Sequence, residues 1–64
     1  MTERLFTAED KHRAIVREVG FRKRVYPNLV AAQKMTQRQA DEQIAVMEAI
    51  AADYEAQAAK ERLL

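Results

Sequence analysis

From Met35 to Ala59 the chain reads MTQRQADEQIAVMEAIAADYEAQAA, with apolar residues at Ala40, Ile44, Met47, Ala51, Tyr54 and Ala58. The steps alternate between four and three. That is the stripe of a helix lying lengthwise against another helix. Thr36 is placed to cap the first free amides, Gln39 to reach back to it, and Met35 to staple onto Ala40. A second stripe with the same rhythm precedes it: Ala8, His12, Ile15, Val19, Arg22, Tyr26, Leu29 and Gln33. Phe21, Val25 and Ala32 widen it on one flank, Val16 and Val30 on the other. At about 100° per residue this arc spans about half the helix, wider than one partner helix covers. Thr7, followed by Glu9 and Asp10, marks its start, since carboxylates favour the positive end of the helix dipole.

Two residues interrupt the first stripe. Gly20 costs about 1 kcal/mol against Ala in a helix interior. Pro27 removes an amide and presses on the carbonyl of Lys23, so one helix kinked near Pro27 is expected rather than two helices. The short link around Lys34 makes the helices antiparallel neighbours. The fold expected is therefore all-α: a single helical hairpin domain over residues 1–64. It comprises a loose leader over 1–7, helix 1 over 8–33 and helix 2 over 37–61. Leu5 and Phe6 are able to pack onto the helix after them. In register, Leu29 faces Ala40, Tyr26 faces Ile44, Arg22 faces Met47, Val19 faces Ala51, Ile15 faces Tyr54 and His12 faces Ala58, large against small at several levels.

One seam does not use all the apolar surface. Phe21, Val25, Val46 and Ile50 lie off it, and exposed together they would form a patch that soluble monomers avoid. In a 64-residue chain without cysteines, neither a large core nor a disulfide compensates. A homodimer forming a four-helix bundle through Phe21, Val25, Val46 and Ile50 is expected.

Charge is nearly balanced overall, at +1, but divided between the helices. Lys11 to Lys34 carries seven bases (Lys11, Arg13, Arg17, Arg22, Lys23, Arg24, Lys34) and one acid, Glu18. Met35 to Ala59 carries one base, Arg38, and five acids: Asp41, Glu42, Glu48, Asp53 and Glu55. Opposite charges of this kind set which helix faces which more than they add stability. Arg22, on the seam, is expected to pair with Glu18 one turn earlier and with Glu48 across the hairpin. Arg13, Arg17 and Arg24 share the outer face of helix 1 and are candidate contacts for phosphate or an acidic protein.

Residues for chemistry are sparse. His12 is the only histidine, and its nearest carboxylates, Glu9 and Asp10, belong to the helix start. No carboxylate–histidine metal pattern, glycine-rich phosphate loop or nucleophile elbow is present. Tyr26 and Tyr54 occupy seam positions. No catalytic, cofactor-binding or metal residue is assigned, and a non-enzyme is expected. The acidic second helix argues against anionic lipid, so no membrane partner is expected. The start lacks the apolar run of a signal peptide and cysteine is absent, which fits a cytoplasmic setting.

The run Arg22–Lys23–Arg24–Val25–Tyr26–Pro27, with Leu29–Val30, Lys34–Met35–Thr36, Ala40–Asp41, Glu48–Ala49–Ile50 and Asp53–Tyr54, resembles small phage- and prophage-encoded helical proteins of proteobacteria. The likeness covers roughly Arg17 to Tyr54. Such proteins commonly carry Gly in the turn where this chain has Gln33. A Gly there suits a left-handed cap, and the departure leaves the form of the turn open. The group has no established activity. The resemblance implies a bacterial, phage-related accessory role, with a host or phage protein as partner. The reading reached is a small interaction protein acting through protein–protein contacts; the alternative is a nucleic-acid-binding or regulatory protein using the basic face of helix 1.

Overall fold

The computed structural model describes residues 5–63. Two helices make up the fold, α1 over Ala8–Ala31 and α2 over Gln37–Leu63, packed against each other as an all-α antiparallel hairpin. The molecule is a rod 47 Å long and under 20 Å across, 19 × 17 Å. Of the expected leader, residues 1–4 lie outside the described residues, while Leu5 and Phe6 are 70% and 61% exposed. No helix among the described residues is long and apolar enough to cross a membrane.

Three of the four helix ends are closed by hydrogen-bonded caps. At the start of α1, Thr7 Oγ1 accepts from the Asp10 amide and the Thr7 amide donates to Asp10 Oδ2, both at 3.1 Å. This reciprocal box satisfies two amides that the helix leaves without partners. Thr36 and Gln39 repeat it at the start of α2, with both bonds at 3.0 Å. α1 continues through Pro27 as one helix. Pro27 lies near the C-terminal end, so the loss is confined to the bond its amide would have made to Lys23.

Helix α1 ends at Ala31, two residues before the stripe runs out. The chain turns because Gln33 takes up a left-handed conformation at φ 60°. Its amide donates to the Val30 carbonyl at 3.0 Å, and the Lys34 amide to the Leu29 carbonyl at 2.9 Å. Those two bonds define a Schellman cap. Gln33 therefore does the work that Gly commonly does in such a cap, against the steric penalty of a Cβ at positive φ. At the other end α2 runs to Leu63, beyond the expected 61. Lys60 and Arg62 complement the negative end of its dipole, Glu61 accepts from the Ala8 amide at 3.3 Å, and Arg62 lies 3.8 Å from Glu9.

The seam is the one expected from the stripes. Ala8, Val19, Ala40 and Ala58 are its buried apolar residues, while Ile15, Tyr26, Leu29, Ile44, Met47, Ala51 and Tyr54 are half-buried. Among the described residues no large side chain is fully enclosed. Alanine at Ala8, Ala40 and Ala58 lets the helices approach at both ends of the rod, but a single seam leaves every larger residue with one side toward solvent. The Lys11 ammonium covers the Tyr54 ring at 5.7 Å.

Two substitutions should stabilise the fold. A Cβ built at Gly20 meets nothing within 4 Å, so Gly20→Ala should raise stability by about 1 kcal/mol through backbone entropy alone. Gln33→Gly should add about 0.5–1 kcal/mol by removing the positive-φ penalty, less the extra entropy of glycine in the unfolded chain. In urea melts the double variant should show the sum, because the sites share no partner. A third expectation concerns acid. Asp10 is held below its ordinary value of 3.8, first by the Thr7 amide and then by the Thr7 hydroxyl. Its capping contribution is therefore complete above the unfolded carboxyl pKa of about 3.9 and disappears as pH falls through the lower folded value. Melts between pH 5 and pH 2 should show a shallower acid loss in Asp10→Asn than in the wild type.

Candidate interaction surface

Contacts between the helices fix how the hairpin is oriented. Lys23 Nζ meets Glu48 Oε2 at 2.8 Å, and Arg62 meets Glu9, so Glu9 and Lys23 on α1 share one broad face with Glu48 and Arg62 on α2. By helical spacing Val16 and Val30 belong to that face. The opposite face carries Ala14, Phe21 and Val25 from α1 and Val46, Ile50 and Gln57 from α2. Phe21 and Val46 are 50% and 56% exposed, Val25 and Ile50 half-buried. The four residues marked in the sequence as an interface thus lie on one side of the rod, two from each helix. Among the described residues, both interhelical ion pairs lie on the other side.

Arg22 borders this apolar face inside the groove. Its Nε donates to Glu18 Oε2 at 2.8 Å, and Nη1 reaches Gln43 Oε1 at 3.5 Å. The Glu18 bond raises the guanidinium pKa above its ordinary value, with a smaller contribution from Tyr26. The expected pair with Glu18 is present, but the expected pair with Glu48 is not: Glu48 lies on the opposite face and takes Lys23 instead. The stripe places Arg22 and Met47 level with each other. One residue further along α1, Lys23 emerges on the side where Glu48 emerges from α2, and the two exposed groups meet there.

The three outer arginines are not equivalent. Arg13 is engaged by Glu9 at 3.3 Å and by Asp10 at 2.8 Å. Arg24 stands over the Phe21 ring at 5.9 Å. Arg17 lines an open groove with Leu5, Phe6, Asp10, Lys11, Arg13 and Ala14. The basic face is thus divided among two carboxylates, an aromatic ring and one arginine beside exposed apolar residues. Sequence spacing located these arginines but not their partners, because Glu9 and Asp10 stand outside the basic run. Among the described residues no three His, Asp or Glu side chains cluster to hold a metal ion. No family model, curated protein or solved structure matches the chain.

Arg22 and Lys23 provide an internal comparison of half-buried and exposed pairing. Removing the Lys23 head leaves Glu48 in water, whereas removing Arg22 strips cover from the seam and leaves Glu18 and Gln43 without their partner. Arg22→Ala should therefore lower the melting temperature clearly more than Lys23→Ala. Equal shifts in the two thermal melts would show that Arg22 contributes no more than a surface charge.

Proposed function

We propose that the protein is a non-enzymatic interaction protein that works by laying the face of Phe21, Val25, Val46 and Ile50 against another protein surface. The observation behind this is the segregation of the hairpin's two faces. Charged pairs bridge the helices on one, beside the exposed Val16, while Phe21 and Val46, one from each helix, stand exposed on the other with the half-buried Val25 and Ile50. An aromatic and aliphatic cluster flanked by arginine has the composition of an interface centre rather than of an ordinary solvated surface. Resemblance of the Arg22–Tyr54 pattern to small phage and prophage proteins supports an accessory role in the bacterial cytoplasm, with a host or phage protein as partner. Phosphate binding by Arg13, Arg17 and Arg24 is the weaker reading, since Arg13 is already engaged by two carboxylates.

The test is quantitative capture from bacterial lysate on the immobilised full chain, run beside Phe21→Ser/Val46→Ser. Both substitutions fall on exposed positions, so circular dichroism should report unchanged helicity. At least one protein should be enriched on the wild type and lost on the variant. Identical profiles from the two chains, with neither binding itself, would overturn the reading. Retention of duplex DNA that weakens steeply with salt would favour the phosphate reading instead.

A further inference from the structure

We infer that the turn between the helices is a hinge, at which two copies of the chain open and exchange α2. The product is a straight antiparallel pair in which α1 of each copy lies on α2 of the other. This goes beyond the interaction proposed for the Phe21 face and does not depend on it. It is carried by the strain in the turn, by the residues that compose it, and by the phase of the two stripes.

Among the described residues Gln33 alone stands at positive φ, and its Cβ opposes that conformation. Short connections under strain are where copies of a chain begin to exchange elements. Composition points the same way. From Asn28 to Leu64 the chain has neither Gly nor Pro, and Ala31, Ala32, Gln33, Lys34 and Met35 favour helix. Straightening the turn replaces the two Schellman bonds, from Gln33 to Val30 and from Lys34 to Leu29, by ordinary helical ones. It also gives the first amides of α2, on Gln37 and Arg38, the carbonyls of Gln33 and Lys34. What is given up is the Thr36–Gln39 box.

Phase decides whether the straightened chain has a use for its apolar residues. The stripe of α1 ends at Tyr26, Leu29 and Gln33, and that of α2 begins at Ala40, Ile44 and Met47. Thr36 continues the steps of three and four between them, so the mean step from Ala8 to Ala58 stays close to the 3.6 residues of a helical turn. On one continuous helix both stripes therefore lie on the same side, and one antiparallel copy covers both. The hairpin's own seam recurs between copies: Leu29 meets the partner's Ala40, Val19 the partner's Ala51, and Lys23 the partner's Glu48. At the centre Gln33 comes level with the partner's Thr36, an amide against a hydroxyl. With the same seam in both forms, the turn and the chain concentration decide between them.

The chain has no cysteine, so Ala14→Cys/Ala56→Cys takes nitroxide spin labels at those two exposed positions alone. The labelled full chain is mixed with a large excess of unlabelled chain, unfolded in urea and refolded at about 1 mM, near the effective concentration of segments joined by a short link. Dipolar EPR then reads the distance within one chain. A closed hairpin keeps the labels level with each other across a rod of 19 × 17 Å. Exchange sets them about 60 Å apart, at about 1.5 Å per residue of continuous helix. The long distance should be present and should grow with chain concentration. Gln33→Gly should lower the association constant about tenfold and Thr36→Ala raise it about tenfold, because each pair contains two hinges. The short distance alone at every concentration, in the wild type and in Thr36→Ala, overturns the exchange. A dimer showing only the short distance overturns it too, since that is two closed hairpins meeting. A long distance that neither substitution shifts overturns the turn as the hinge.

Discussion

Two helices side by side share a single line of contact, and the rest of this molecule is shaped by how little that line can hide. A residue on the seam is covered by the facing helix and by its own neighbours, but never from a third side. Only side chains as small as Ala8, Ala40 and Ala58, or centrally placed like Val19, become buried. Tyr26, Leu29, Ile44, Met47 and Tyr54 remain half open. Since burial of apolar area is the main favourable term in folding, a chain built this way gets less from each large residue than a globular domain does. That shortfall gives weight to helix ends, caps and cross-helix charges that would be secondary elsewhere.

Those secondary devices are spread along the whole rod. Capping boxes at Thr7 and Thr36 and the Schellman turn at Gln33 close helix ends. Glu61 and Arg62 meet the start of α1 at the end away from the turn. Individually each is modest, and exposed ion pairs such as Lys23–Glu48 contribute at most about 1 kcal/mol. Their placement matters more than their strength. Bridging charges occupy one face because Lys23 and Glu48 leave their helices on the same side. On the other side the cross-helix polar contacts are of a different kind, Arg22 with Gln43 and the Lys11 ammonium over the Tyr54 ring.

The four-three stripes made the helices, the antiparallel register and most of the seam legible, because side chains three and four apart on a helix share a face whatever else surrounds them. Thr36 with Gln39 was legible for the same local reason. What the sequence did not show were contacts decided by rotamers and by the far end of the chain: Glu48 with Lys23 rather than Arg22, Gln43 with Arg22, and Glu61 on the Ala8 amide. Long side chains on adjacent seam positions reach several partners, and spacing alone does not choose among them. The turn was illegible for a different reason. A left-handed residue is normally announced by Gly or Asn, and Gln33 adopts that conformation under the demand of the Schellman bonds alone. For the candidate surface, the sequence indicated that Phe21, Val25, Val46 and Ile50 lie off the seam. Helical spacing and the Lys23–Glu48 and Glu9–Arg62 contacts put all four away from those two ion pairs.

Arg22 connects the hairpin to its surroundings. An aliphatic residue there would widen the seam and extend the apolar face without interruption, giving a surface able to slide against almost any apolar partner. A guanidinium held between Glu18 and Gln43 instead fixes a polar step partway along that face, 26% exposed at its side chain. Apolar side chains laid over such a step would cover a charge that otherwise keeps its contact with water, at a desolvation cost. Stability is given up at one seam position, and a polar group is fixed within the apolar surface. For a rod whose apolar side chains cannot all be hidden internally, the difference between a sticky surface and a selective one then rests on polar residues placed as this one is.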